Sequence, residues 1–230
     1  MAAEIVEHVE GLLTIDHPLR VGPMPVGTRT TLVRLASGGL LVHSPGPLGG
    51  GLRAQIEACG RVEAIVAPNC MHHLFLEENI QAWPSAQVFL APGLREKRTD
   101  LGVGEVLGDT APEAWAGVLE QIVTTGAPRL AEVAFLHPAS RTLILCDLVF
   151  NIRSVDSAFA RVFMRINGMV GHFGPSRLAR LFFFQDRAAL RNSIERILAW
   201  DFDRVVVGHG EIVESGGRGL LEEAFAFLRD

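Results

Sequence analysis

At 230 residues the chain is long enough to bury a sizeable core, as one large domain or two small ones. Apolar residues make up 48% and charged residues 20%, and the formal net charge is −5, a composition that excludes a disordered chain and gives no basic stripe for nucleic acid. No Lys/Arg cluster suggests an anionic membrane surface, and no window approaches the ~18 apolar residues of a spanning helix.

The start, "MAAEIVEHVEGLL", is acidic and has no basic stretch, so no secretory signal is expected. The three cysteines, Cys59, Cys70 and Cys146, are widely spaced and form no CxxC pair, so a reduced, cytoplasmic chain is the expectation. Residues 1–30 read as irregular, with prolines and glycines from Pro18 to Gly27. "TRTTLVRLASGGLLVHS" reads as a β-hairpin around the "ASGG" turn. "LRAQIEACG" reads as a short helix closed by Gly60. "VEAIVA" is a buried strand that Pro68 ends, and "HHLFLEENIQAWP" is helical from about His73. "AQVFLAP" is a further strand, and "GLREKRTDLG" a polar connector.

In the second half, "LEQIVTT" and "EVAFLHP" read as strands, and "RTLILCDLVFN" as a strong strand ending near Asp147. Residues 157–200 are mostly helical, broken at "NGMVGHFGP". "FDRVVVGHGEIV" gives a last strand and loop, and "GRGLLEEAFAFLRD" a closing amphipathic helix. No linker or low-complexity tract divides the chain, so one domain over 1–230 is expected, with a layered α/β architecture.

Three apolar strands end in metal-binding residue types: "AIVAPNCMHH" in His72 and His73, "TLILCD" in Asp147, and "RVVVGHG" in His209. Strand ends of α/β proteins gather on one rim, where ligands bind. Imidazole and carboxylate together suit zinc, iron or manganese. Each residue alone also has a structural reading: a turn cap for Asp147, a tight-turn residue for His209, a helix start for the two histidines. Their shared topological position is the argument for a joint metal site. No GxSxG elbow, Walker A loop or GxGxxG helix start offers competing chemistry.

"RTLILCDLVFN" followed by "VVVGHG" resembles the second half of metallo-β-lactamase-fold hydrolases, and "IVAPNCMHHLFL" falls where that superfamily carries its HxHxDH motif. Together with "LLVHSPGPL" the likeness is to a metallo-β-lactamase-like subfamily with a degenerate motif. The resemblance implies an αββα sandwich of two mixed sheets with helices outside. It also implies a site along one sandwich edge. In a gapless alignment Pro68 and Cys70 replace the first two motif histidines, His72 stands at the Asp and His73 at the last His. Pro128 falls at a further histidine of the first metal site. The resemblance then implies a single divalent metal, zinc foremost with iron or manganese as alternatives, on His72, His73, Asp147 and His209. Asp147 is a ligand or a catalytic base.

Around these, His43 falls at a site-floor position, and is either hydrogen-bonded to a ligand or a strand-end residue. Asn69 either reaches a ligand or makes an Asx turn, the turn being expected. Cys70 remains a thiolate candidate, His137 a rim contact or turn residue, and Glu132 is expected on a solvent face. His172 sits in a helix break that forms a lid or packs in the core. Met164, Met169, Phe173 and Phe182 to Phe184 would line such a lid, core packing being expected. The expected function is a metal-dependent hydrolase acting on a small ester, thioester or amide, with no nucleic-acid or membrane partner and a homodimer open. The alternative is a non-catalytic binding module on the same fold.

Overall fold

The computed structural model describes residues 4–229. A seven-stranded mixed sheet comes first in sequence. It contains β1 (Ile5–Val9), β2 (Leu12–His17), β5 (Thr28–Arg34), β6 (Leu40–His43), β7 (Val62–Ala67), β8 (Gln87–Leu90) and β9 (Glu105–Val106), paired in that order. The short hairpin β3 (Arg20–Val21) and β4 (Met24–Pro25) stands apart from it. The second sheet runs β10 (Glu120–Val123), β11 (Val133–His137), β12 (Thr142–Ile144) and β13 (Arg204–Val206).

Side-chain alternation explains the layers. Along β6, Leu40 and Val42 point to one core while Leu41 points to another. The first of these cores packs the outer face of the sheet against α1 (Leu52–Cys59) and α2 (Leu76–Ala82), through Leu52, Ile56 and Leu76. The second lies between the sheets, where Leu41, Val66 and Phe89 meet Phe135, Ile144 and Val206. On the far side of the second sheet, α5 (Arg177–Phe182), α6 (Arg187–Leu198) and α7 (Gly217–Ala224) contribute Ala179, Leu190, Ile194 and Leu221. The result is an αββα sandwich, as the sequence resemblance implies. No helix among the described residues is long and apolar enough to cross a membrane.

Several boundaries differ from the sequence reading. Residues 4–30 are not irregular: Ile5 to His17 form an antiparallel hairpin, which turns at Gly11 with φ +79°. The helix expected from His73 begins at Leu76, because residues 70–75 form the turn that carries the site. The polar connector after β8 holds a one-turn helix, α3 (Leu94–Lys97). The strand before Asp147 stops at Ile144, since Leu145 leaves the ladder to start the Asp147 loop. The helical segment resolves as α4 (Ala158–Ile166), α5 and α6.

Candidate metal centre

The site forms where three loops leave the same edge of the sandwich. Strands β12 and β13 are parallel, with Ile144 opposite Val206. Asp147 and His209 each follow three residues later, so the parallel register itself sets them side by side. His72 arrives from the first sheet, in the turn after β7. That turn is pinned across the sandwich by Val133 N–H donating to Pro68 O at 2.8 Å and Cys70 N–H to Leu130 O at 2.9 Å.

His72, Asp147 and His209 bring one donor atom each to within 4.8 Å of one another. His72 Nε2 lies 3.2 Å from Asp147 Oδ2, His209 Nε2 lies 3.1 Å from Asp147 Oδ1, and the two Nε2 atoms are 3.2 Å apart. The ring tautomers follow from the second partners. His209 Nδ1 is 2.7 Å from Gly27 O, a pure acceptor, so Nδ1 carries the proton. Ser44 Oγ is 2.9 Å from Arg29 O and 2.6 Å from His72 Nδ1. Its single proton goes to the carbonyl, so it accepts from His72 Nδ1–H. Both Nε2 atoms therefore aim lone pairs at a carboxylate. Such convergence of acceptors needs a cation or a proton between them.

The donor set fits a metal. Four-coordinate zinc with bonds of ~2.0–2.1 Å keeps its donors about 3.3–3.4 Å apart, close to the spacings here. Each imidazole is oriented through its other nitrogen, the arrangement usual for metal-bound histidine. The electrostatics agree. Burial works to raise the Asp147 carboxyl, but the His72 and His209 rings overcome it and hold the group well below the usual carboxylate range. Burial opposes charge on His209, yet the hydrogen bond and charge of Asp147 raise its pKa.

The support beneath is dense. Asn69 does both things open to it: Oδ1 accepts from Met71 N–H at 2.8 Å and His72 N–H at 2.7 Å, while Nδ2 donates to Asp147 Oδ2 at 2.8 Å and Glu132 Oε2 at 3.0 Å. Glu132 is not on a solvent face but fully buried. It accepts from the backbone N–H groups of Cys146, Asp147 and Leu148, which shapes the Asp147 loop. Burial, then the charge of Asp147, pushes its carboxyl up to about 7 against the pull of these donors. Arg29, also buried, donates to Val207 O at 2.7 Å and Gly210 O at 2.8 Å, and pairs with Asp16. It ties the His209 loop to the first sheet. In the "GHG" turn, a Cβ at Gly208 would stand 3.1 Å from His72 Cε1, and one at Gly210 only 2.2 Å from Asn151 O, at φ +95°. Ser44 sits at φ +55°, a conformation uncommon for a side-chain-bearing residue.

His73 does not join the cluster. Its Nδ1 lies 3.1 Å from Arg98 Nη1, and its carbonyl accepts from the same guanidinium. Successive residues of a turn face different ways, and the Asn69 cap turns His72 inward instead. Cys70 is buried with Sγ 3.4 Å from Pro92 O, so it is no thiolate ligand. His43 is buried between the sheets, edge-on to Phe135, and neither ring nitrogen has a hydrogen-bond partner, so it does not orient a ligand. His137 bonds Ser140 at the end of β11 farthest from Glu132. His172 lines a separate small cavity with Arg180 and Glu223 rather than a lid. In its segment, Met164 and Phe184 are core, Phe182 is exposed, and Phe163 and Met169 line the cleft above the site. Among the described residues, His72, Asp147 and His209 are the group of three or more metal-binding types that converges. Sequence reasoning gave Ser44 no supporting role and did not single out Arg29, whose carbonyl partners on Val207 and Gly210 lie 178 and 181 residues away.

This architecture is the metallo-β-lactamase fold. Solved structures match the whole chain at low identity. A metallo-β-lactamase from Pontibacter korlensis is 15% identical with a TM-score of 0.68, covering 99% of both chains. The metal-soaked Flv1 flavodiiron core from Synechocystis sp. PCC6803 is 12% identical with a TM-score of 0.68, covering 99% of this chain and 61% of that one. The metallo-β-lactamase FIM-1 from Pseudomonas aeruginosa, in its mono-zinc form, is 10% identical with a TM-score of 0.65, covering 100% and 96%. A family model described as Domain of unknown function (DUF4336) matches residues 10–96. Comparison with curated proteins finds no match.

Proposed function

We propose that the protein is a single-metal hydrolase-like enzyme acting on a small-molecule ester, thioester or amide. One observation carries the reading: two imidazole lone pairs and a carboxylate, each oriented from behind, converge on one point at the floor of a cleft. His72, Asp147 and His209 would hold one divalent ion, zinc being the first choice for two nitrogens and one oxygen. With His73 outside the set, three protein ligands leave a coordination position open, which is the hallmark of catalytic rather than structural sites. A bound ion of this kind supplies Lewis acidity, polarising a carbonyl and acidifying a water.

The chain's own residues supply the rest. Ser44 and Gly27 fix the ring orientations, and Asn69 holds Asp147 against rotation. Both carboxylate oxygens of Asp147 are engaged, which favours a ligand role over a free base. In the reaction, the acyl–oxygen, –sulfur or –nitrogen bond breaks. Water gives hydroxyl to the acyl carbon and a proton to the leaving group. The test is metal content by elemental mass spectrometry, on wild type, His73→Ala and His209→Ala. The expected result is about one zinc per chain in wild type and His73→Ala, and loss in His209→Ala. Absence of metal after reconstitution would leave a binding module on this fold. Loss in His73→Ala with retention in His209→Ala would reverse the ligand assignment.

A further inference from the structure

The cleft over the three ligands, about 490 Å³, has an unusual wall. Met24, Val26, Met71, Phe150, Phe163 and Met169 dominate it. Beyond the ligands, the polar side chains lining it are Thr28, His73 and Lys97. Two of these are already committed: Lys97 Nζ donates to Cys70 O at 2.6 Å, and His73 lies against Arg98. A sugar, nucleotide or peptide brings many donors and acceptors, and each one desolvated without a partner weakens binding. This wall cannot repay them. Three methionines give a soft, adaptable apolar surface instead.

The apolar surface also continues outward. On α4, Phe163 shares a face with Phe159, Val162 and Ile166, at the helical spacing i, i+3, i+4, i+7. All four are exposed, and the helix packs inward through Ala160 and Met164. A chain leaving the cleft would find a further apolar track there.

We propose that the cleft takes the acyl chain of a single-chain ester or thioester, with its carbonyl at His72, Asp147 and His209. This rests on the single-metal reading for where the head group sits. The acyl chain lies along the Met24, Phe163 and Met169 wall and reaches the α4 face as it lengthens.

The experiment is calorimetric titration of straight-chain carboxylates, butanoate to tetradecanoate, against zinc-treated and chelator-treated protein. Affinity should rise two- to fourfold per added methylene, fourfold being the value for complete burial, until the cleft is filled. Phe163→Asp, at a position 40% exposed, should weaken dodecanoate at least tenfold and butanoate far less. Leu220→Asp, also exposed but outside the cleft lining, should change neither. A flat chain-length series, or one that Phe163→Asp leaves intact, overturns the proposal. A flat series with self-association abolished by Phe163→Asp would do so too, by making the α4 face a contact between copies of the chain. A rising series in protein that takes up no zinc keeps the acyl cleft and removes the metal reading. Zinc uptake with a flat series does the reverse.

Discussion

Ser44 is the most direct test of the tautomer argument. Its hydroxyl accepts the His72 Nδ1 proton at 2.6 Å and donates to Arg29 O at 2.9 Å, from a backbone at φ +55°. Ser44→Ala removes both hydrogen bonds, so His72 loses its preference for a lone pair on Nε2. Outer partners of this kind generally alter metal affinity 10–100-fold, about 1.4–2.7 kcal/mol. Leaving Arg29 O unpartnered costs stability of order 1–3 kcal/mol besides. Ser44→Gly relieves the positive φ while removing the same hydroxyl, so it should lose zinc affinity to a similar degree with a smaller stability loss. Zinc affinity would be read by competition with a chelating dye, and the tautomer by ¹⁵N shifts of the His72 ring in zinc-free protein. Unchanged affinity in both variants, or a wild-type ring protonated on Nε2 alone, would refute the reasoning.

Two further outcomes follow from buried neighbours. Burial, then the charge of His72, drives the His43 pKa from 6.5 down to about 3. Its folded pKa lies below its unfolded one, so the unfolded chain binds the proton first. Stability is therefore full above pH 6.5 and is lost as pH falls toward 3, at up to about 1.4 kcal/mol per pH unit. In chelator, urea midpoints of wild type against His43→Leu between pH 7 and 4 should diverge in that sense, and parallel curves would rule it out. Gly208→Ala places a methyl 3.1 Å from His72 Cε1 and 3.0 Å from Cys146 Cα, so it should weaken zinc binding several-fold at modest stability cost. Dye competition and thermal melts check the pair, and undiminished zinc affinity would show that the turn gives way freely.

Local patterning determined much of this protein. The near-continuous apolar runs "LLVH" and "VEAIVA" marked strands with two covered faces, and the strand-end positions of His72, Asp147 and His209 were legible from apolar runs that stop at polar residues. The first hairpin was not read from "IVEHVEGLLTIDH", because β2 is buried at successive positions and leaves no clear alternation. Tertiary structure alone decided between His72 and His73. Adjacent identical side chains have the same chemistry, and only the Asn69 cap and the Arg98 guanidinium separate them. It also decided the supports. Ser44 and His72 are 28 residues apart, Glu132 and Asn69 are 63 apart, and His209 and Gly27 are 182 apart. Hydrogen bonds over such distances leave no period in the sequence, because they exist only once the two sheets have packed and their loops meet at one edge.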